Sequence, residues 1–162
     1  MFYARDMDTP PTARHPALQG LGWAAAACWS ASWCLPVVED YPGWAAFWTV
    51  ISAPFRGTFP LGAEDSIPQI FSALTNVVFV VLFALWSRGR SMRPTLFVKI
   101  ALACLIINLY WPVQMLRDGQ SGVLLVGYYL WLAAFAMLFA LAVISAVSNR
   151  RTSKTPTAGT PS

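Results

Sequence analysis

Residues 67–86 read IPQIFSALTNVVFVVLFALW, and residues 87–93 that follow read SRGRSMR. The first stretch carries no charged side chain. Twenty residues at about 1.5 Å each match the roughly 30 Å of a bilayer's hydrocarbon core. The second stretch places Arg88, Arg90 and Arg93 around Gly89, directly ahead of Pro94. An uncharged run of spanning length that stops at an arginine cluster is a transmembrane helix ending at a basic membrane face. Its other end carries helix-start signals. Ser66 and Gln69 match a capping box, and Pro68 sits in the first turn, so Gln69 reads as a capping residue.

Working outward from this helix, the same criteria find three more spans, at about residues 18–38, 95–115 and 122–147. The 95–115 span holds Lys99 one turn inside, from where it can snorkel to the basic face, and Pro112 near its far end. The 122–147 span is longer than the hydrocarbon core and is expected to tilt or project. The 18–38 span is the weakest, diluted by Gly20, Gly22, Ser30, Ser32 and Pro36. Its small residues, Ala24 with Cys28 and Ala27 with Ala31, suit close helix approach, which places it inside a bundle. Between the first two spans lies an acidic linker, 39–65. Within it Trp44, Phe47, Trp48 and Ile51 recur at helical spacing after Pro42 and before Pro54. A helix at about 43–53 with an aromatic face, too short to span, is expected in the membrane interface.

The expected fold is therefore all-α: an integral membrane four-helix bundle with a short interfacial helix in its first extracytoplasmic linker. A transmembrane domain, 18–151, lies between an N-terminal arm, 1–17, and a disordered tail, 152–162. Composition agrees, with 57% hydrophobic and 11% charged residues among 162. A soluble domain carries nearer a quarter charged. Arg5, Arg14, Arg88, Arg90, Arg93, Lys99, Arg150, Arg151 and Lys154 fall on one side, and Arg56 and Arg117 on the other. That asymmetry predicts both termini in the cytoplasm of a multi-pass protein, here a bacterial inner-membrane protein. The stretch after Pro16 is read as a retained helix rather than a cleaved signal, being long and rich in bulky residues.

Much chemistry is excluded by absence. The sole histidine, His15, lies outside every span, so no histidine-ligated haem fits between the helices. Cys28, Cys34 and Cys104 form no C-x-x-C pair and cannot close a disulfide framework. No carboxylate lies within a span to couple export to protons. No metal set, no cofactor motif and no nucleophile–base pair is visible. The net charge of +4 is explained by the membrane-flanking basics, and no nucleic-acid surface is expected.

One polar cluster remains. Asn76 and Asn108 fall at similar depths in the outer halves of their spans and are expected to face each other. Thr75, Ser30, Tyr128 and Tyr129 reach comparable depths, with Trp111 nearby. Such groups serve either as interhelical glue, worth about 0.6 to 2 kcal/mol each, or as orienting groups in an aromatic-walled pocket. Two functions follow as expectations. One is a non-enzymatic accessory or assembly protein with membrane lipids and other membrane proteins as partners. The other is a binder or carrier of a lipid or small hydrophobic molecule. A closed bundle would favour the first and an outward aromatic pocket the second.

Overall fold

The computed structural model describes residues 16–38, 41–57, 66–89, 93–120 and 122–152. The arm before residue 16, the acidic residues 39–40 and 58–65, and the tail beyond 152 lie outside the described residues. The described chain is helical apart from one short ribbon. Its elements run α1 (Pro16–Cys34), β1 (Pro36–Val38), β2 (Tyr41–Pro42), α2 (Gly43–Arg56), α3 (Ser66–Ser87), α4 (Pro94–Arg117) and α5 (Val126–Thr152). Three helices are long and apolar enough to cross a membrane: Ser66–Ser87, Pro94–Arg117 and the Val126–Ser148 part of α5.

Several boundaries differ from the sequence reading, each for a backbone reason. The first apolar segment is helical only to Cys34. Proline disfavours the helical conformation in the residue before it, so Pro36 turns the chain at Leu35 and 36–38 is extended. The last span begins at Val126 rather than residue 122. Ahead of it, the Leu125 N–H donates to the Val37 carbonyl at 3.0 Å, and Leu124 bridges Val38. These residues use their backbone groups across the chain instead of along a helix. α2 does not stop at Pro54 but continues to Arg56, where Gly57 takes φ 69° and its N–H closes on the Ala53 carbonyl at 2.9 Å. A proline near a helix end disrupts few bonds, and a left-handed glycine makes a good stop.

The long helices pack side by side. α1 packs most extensively on α5, and α5 also lies along α4. One apolar core takes Ala25 from α1, Phe79 and Leu82 from α3, Phe97 and Ala101 from α4, and Phe135, Leu138 and Leu141 from α5. At the other end of the helices a second cluster gathers Val37, Trp111, Met115, Leu124 and Tyr128. Two glycines make the corner there possible. A Cβ on Gly43 would fall 2.4 Å from the Ser32 carbonyl oxygen, and one on Gly127 would fall 2.6 Å from the Pro36 carbonyl oxygen. Only glycine allows α2 and α5 to approach the Ser32–Pro36 backbone this closely. The Gly43 N–H uses that proximity to donate to the Leu35 carbonyl at 3.1 Å.

Candidate functional site

Near the α2 end, two polar networks cross the helices. The first is built on Asn108, which is 0% exposed. Ser72 Oγ donates to Asn108 Oδ1 at 2.9 Å, Asn108 Nδ2 donates to Thr75 Oγ1 at 3.2 Å, and Thr75 Oγ1 donates to the Ser72 carbonyl at 2.6 Å. The circuit ties α3 to α4 and satisfies both hydroxyls. The Asn108 backbone carbonyl has a separate problem. Its helical partner would be the N–H four residues on, and that residue is Pro112, which has none. The Tyr128 hydroxyl fills the gap by donating to this carbonyl, tying α5 to α4.

The second network is built on Asn76. Its Oδ1 accepts from Trp29 Nε1 and from Trp131 Nε1, each at 2.9 Å, and its Nδ2 donates to the Ala73 carbonyl at 3.1 Å. One amide oxygen thus fixes two indoles from α1 and α5. Trp29 also stacks on Phe79 with centroids 5.4 Å apart, and Trp131 meets Tyr128 edge-on at 5.3 Å. Asn76 and Asn108, expected to face each other, instead have separate partners. Ser72 and Thr75 share one face of α3 at i, i+3 and reach α4. Asn76 lies about 100° further round and reaches α1 and α5.

Of the residues singled out from the sequence, Asn76, Asn108, Thr75, Tyr128 and Trp111 are buried together at this level. Ser30 is exposed, and Tyr129 is 49% exposed, so neither joins them. Two residues along α1 from Ser30, Ser32 is buried, its Oγ donating to the Trp29 carbonyl at 2.7 Å.

Beside these networks lies a half-open chamber of about 430 Å³. Trp33, Phe47, Trp111, Tyr128 and Trp131 supply its aromatic wall, Asn76 and Ser72 line it, and α2 covers it through Ala46, Phe47 and Val50. No carboxylate, ammonium, guanidinium or imidazole is among the described lining residues. Trp33 meets Phe47 at 5.2 Å between centroids, joining α1 to α2. Among the lining residues that the sequence reading did not place at the site, Gln69 stands out. It is 3% exposed, and both its Nε2 and its Oε1 are buried without a hydrogen-bond partner among the described residues. The capping-box role expected for it is therefore not the one it plays. Buried amides are nearly always bonded, so an unpaired pair of atoms in a cavity wall is hydrogen-bonding capacity open to a water or a ligand. The signal available in the sequence was a glutamine within an apolar run, which the helix-start pattern explained away.

No three His, Cys, Asp or Glu side chains gather to hold a metal among the described residues. The chain matches no protein-family model, no curated protein and no solved structure. Its fold and site thus define it only as a helical membrane protein with a neutral, aromatic-walled chamber.

Proposed function

We propose that this chain is a multi-pass membrane protein that binds a small, mostly apolar molecule in the chamber beneath α2, without chemistry on it. The observation that carries this reading is the chamber itself: about 430 Å³, walled by indole, phenyl and phenol rings, with an unpartnered amide in the wall. Preformed cavities of several hundred Å³ with an apolar lining and few polar groups are the usual form of small-molecule sites. In the architecture we propose, α1 is a fourth span, and α1, α3, α4 and α5 form a four-helix bundle. The support is the contribution of Ala25 to the same core as the three longer helices, and a length of about 28 Å for 19 residues. Both termini lie in the cytoplasm of a bacterial inner membrane, following the basic residues. α2 lies in the outer interface, presenting Trp44, Trp48 and the 90% exposed Phe55 to headgroups while Phe47 faces the chamber. The chamber then draws its ligand from the outer leaflet or the space beyond.

The deciding experiment is purification in native lipid followed by mass spectrometry of retained small molecules, beside a Trp33→Ala chain. A molecule retained by the natural chain and lost from the variant is the expected result. Equal retention by both, or none by either, sinks the reading. Reporter fusions after Arg151 and within 57–62 check the orientation, and extracytoplasmic activity after Arg151 would overturn it.

A second reading rests on a different surface. At the α3–α4 seam, Ile67, Phe71, Ile106, Leu109, Tyr110 and Val113 line a wholly apolar groove. In an accessory protein this groove would take a partner's transmembrane helix.

A further inference from the structure

Gln69 gives the chamber a stereochemical preference, on the premise that the chamber binds a ligand at all. Its amide presents one N–H donor pair and one carbonyl acceptor side by side on a single plane. Neither atom has a partner among the described residues, and the side chain lines the chamber at 3% exposure. The other buried amide and hydroxyl groups that face the chamber with it are already occupied. Asn76 Oδ1 holds two indoles, Ser72 Oγ is committed to Asn108, Ser32 Oγ to the Trp29 carbonyl, and Thr49 Oγ1 to the Ala45 carbonyl. Gln69 is thus the one buried lining side chain that leaves both a donor and an acceptor unpaired among the described residues.

We infer that Gln69 is the head-group anchor of the chamber, and that it selects uncharged, apolar molecules bearing a carboxamide or lactam head. The chemistry argues by exclusion. An ionised carboxylate offers two acceptors, which satisfies the N–H side, opposes the carbonyl side, and meets no cation in the described lining. A ketone or ether oxygen offers acceptors only and leaves Oε1 unpaired. A single hydroxyl can serve one atom well but cannot aim its proton and its lone pair at the same planar group in good geometry. A carboxamide with its N–H and C=O on one edge makes two parallel bonds and so pairs both Nε2 and Oε1. The aromatic wall, Trp33, Phe47 and Trp111, then takes the apolar body.

The test uses the purified full chain in lipid nanodiscs, against empty nanodiscs, with three matched probes: naphthamide, methylnaphthalene and naphthoate. The natural chain should bind naphthamide at least tenfold more tightly than methylnaphthalene, with naphthoate weakest. In Gln69→Met, of similar volume, the two neutral probes should bind within threefold of each other. Without ligand, Gln69→Met should melt no lower than the natural chain, because it removes a buried unpaired amide. Methylnaphthalene binding with no gain for naphthamide overturns the anchor while leaving the chamber's binding role intact. Failure of all three probes counts against the binding role itself. A naphthamide preference that survives Gln69→Met assigns recognition elsewhere and overturns the inference. A ligand-free Gln69→Met chain that melts well below the natural one identifies Gln69 as a structural amide, and overturns it too. Should Gln69→Met fail to fold, Gln69→Leu and the natural chain's own probe ranking decide in the same way.

Discussion

The two ends of the molecule use similar apolar side chains to opposite effect. Toward the α3–α4 turn, Leu82, Ala101, Leu138, Leu141 and Ala142 interlock and leave the helices in contact. Toward α2, Trp33, Phe47, Trp111 and Tyr128 stand around open space. Between them sits the Asn76 amide holding Trp29 and Trp131. The difference lies in shape and in polar fixation. Aliphatic side chains fill whatever space is offered, whereas rings held by hydrogen bonds and edge contacts prop it open. The buried polar side chains among the described residues, Ser32, Gln69, Ser72, Thr75, Asn76 and Asn108, gather toward α2, and the closed end packs without them.

The sharpest way to break this comparison is to delete a ring at its closed end. Phe135 is fully buried in the core against Phe79 and Trp131. Phe135→Ala should cost about 3 to 5 kcal/mol in an unfolding titration in detergent. Trp33→Ala, at the open end, should cost less than about 2 kcal/mol, since part of its ring already borders a cavity. Equal costs would erase the distinction. A smaller effect is expected at the polar boundary. Asn108→Leu strands the Ser72 hydroxyl and removes the donor to Thr75 Oγ1, and should cost about 1 to 2 kcal/mol. Asn76→Leu should cost a similar amount, and the double variant should be additive within about 0.5 kcal/mol, because the two amides share no partner. Strong coupling would mean one network rather than two. Least of all, Tyr128→Phe should cost about 0.5 to 1.5 kcal/mol by exposing the Asn108 carbonyl to hydrocarbon. Adding Pro112→Ala restores an N–H at the helical position and should recover most of that loss. No recovery would show that the tyrosine hydroxyl acts elsewhere.

The sequence shows which of these features were legible. α3 and α4 were readable within two residues because charge and proline mark their ends. The polar level was readable too, since Asn, Thr and Ser stand out in apolar helices. Which of two adjacent residues faces inward was not. α1 and α5 are apolar nearly all round, so no stripe fixes their rotation, and Ser30 and Tyr129 were grouped with a cluster that takes Ser32 and Tyr128. The strand at Pro36–Val38 was hidden because its apolar residues read as the end of a span, although it pairs with nearby Tyr41–Pro42 and bridges distant Leu124. Gln69 was hidden differently: a local rule gave it a role before tertiary structure could. The orphaned Asn108 carbonyl, in contrast, follows from counting four residues back from Pro112, although the donor that rescues it does not.

The close approach of Gly127 to the Leu35–Pro36 backbone also sets an order of assembly. Among the described helices α1 leaves the ribosome first and α5 last, yet each is the other's most extensive neighbour. α1 is also not among the three described helices whose length and apolar composition suit a membrane span. Its main packing surface is therefore completed only after α2, α3 and α4 have been made and Gly127 arrives. Nascent chains halted ahead of Val126 would carry Trp33, Gln69 and Trp111 but no Tyr128 or Trp131, and so an unfinished chamber.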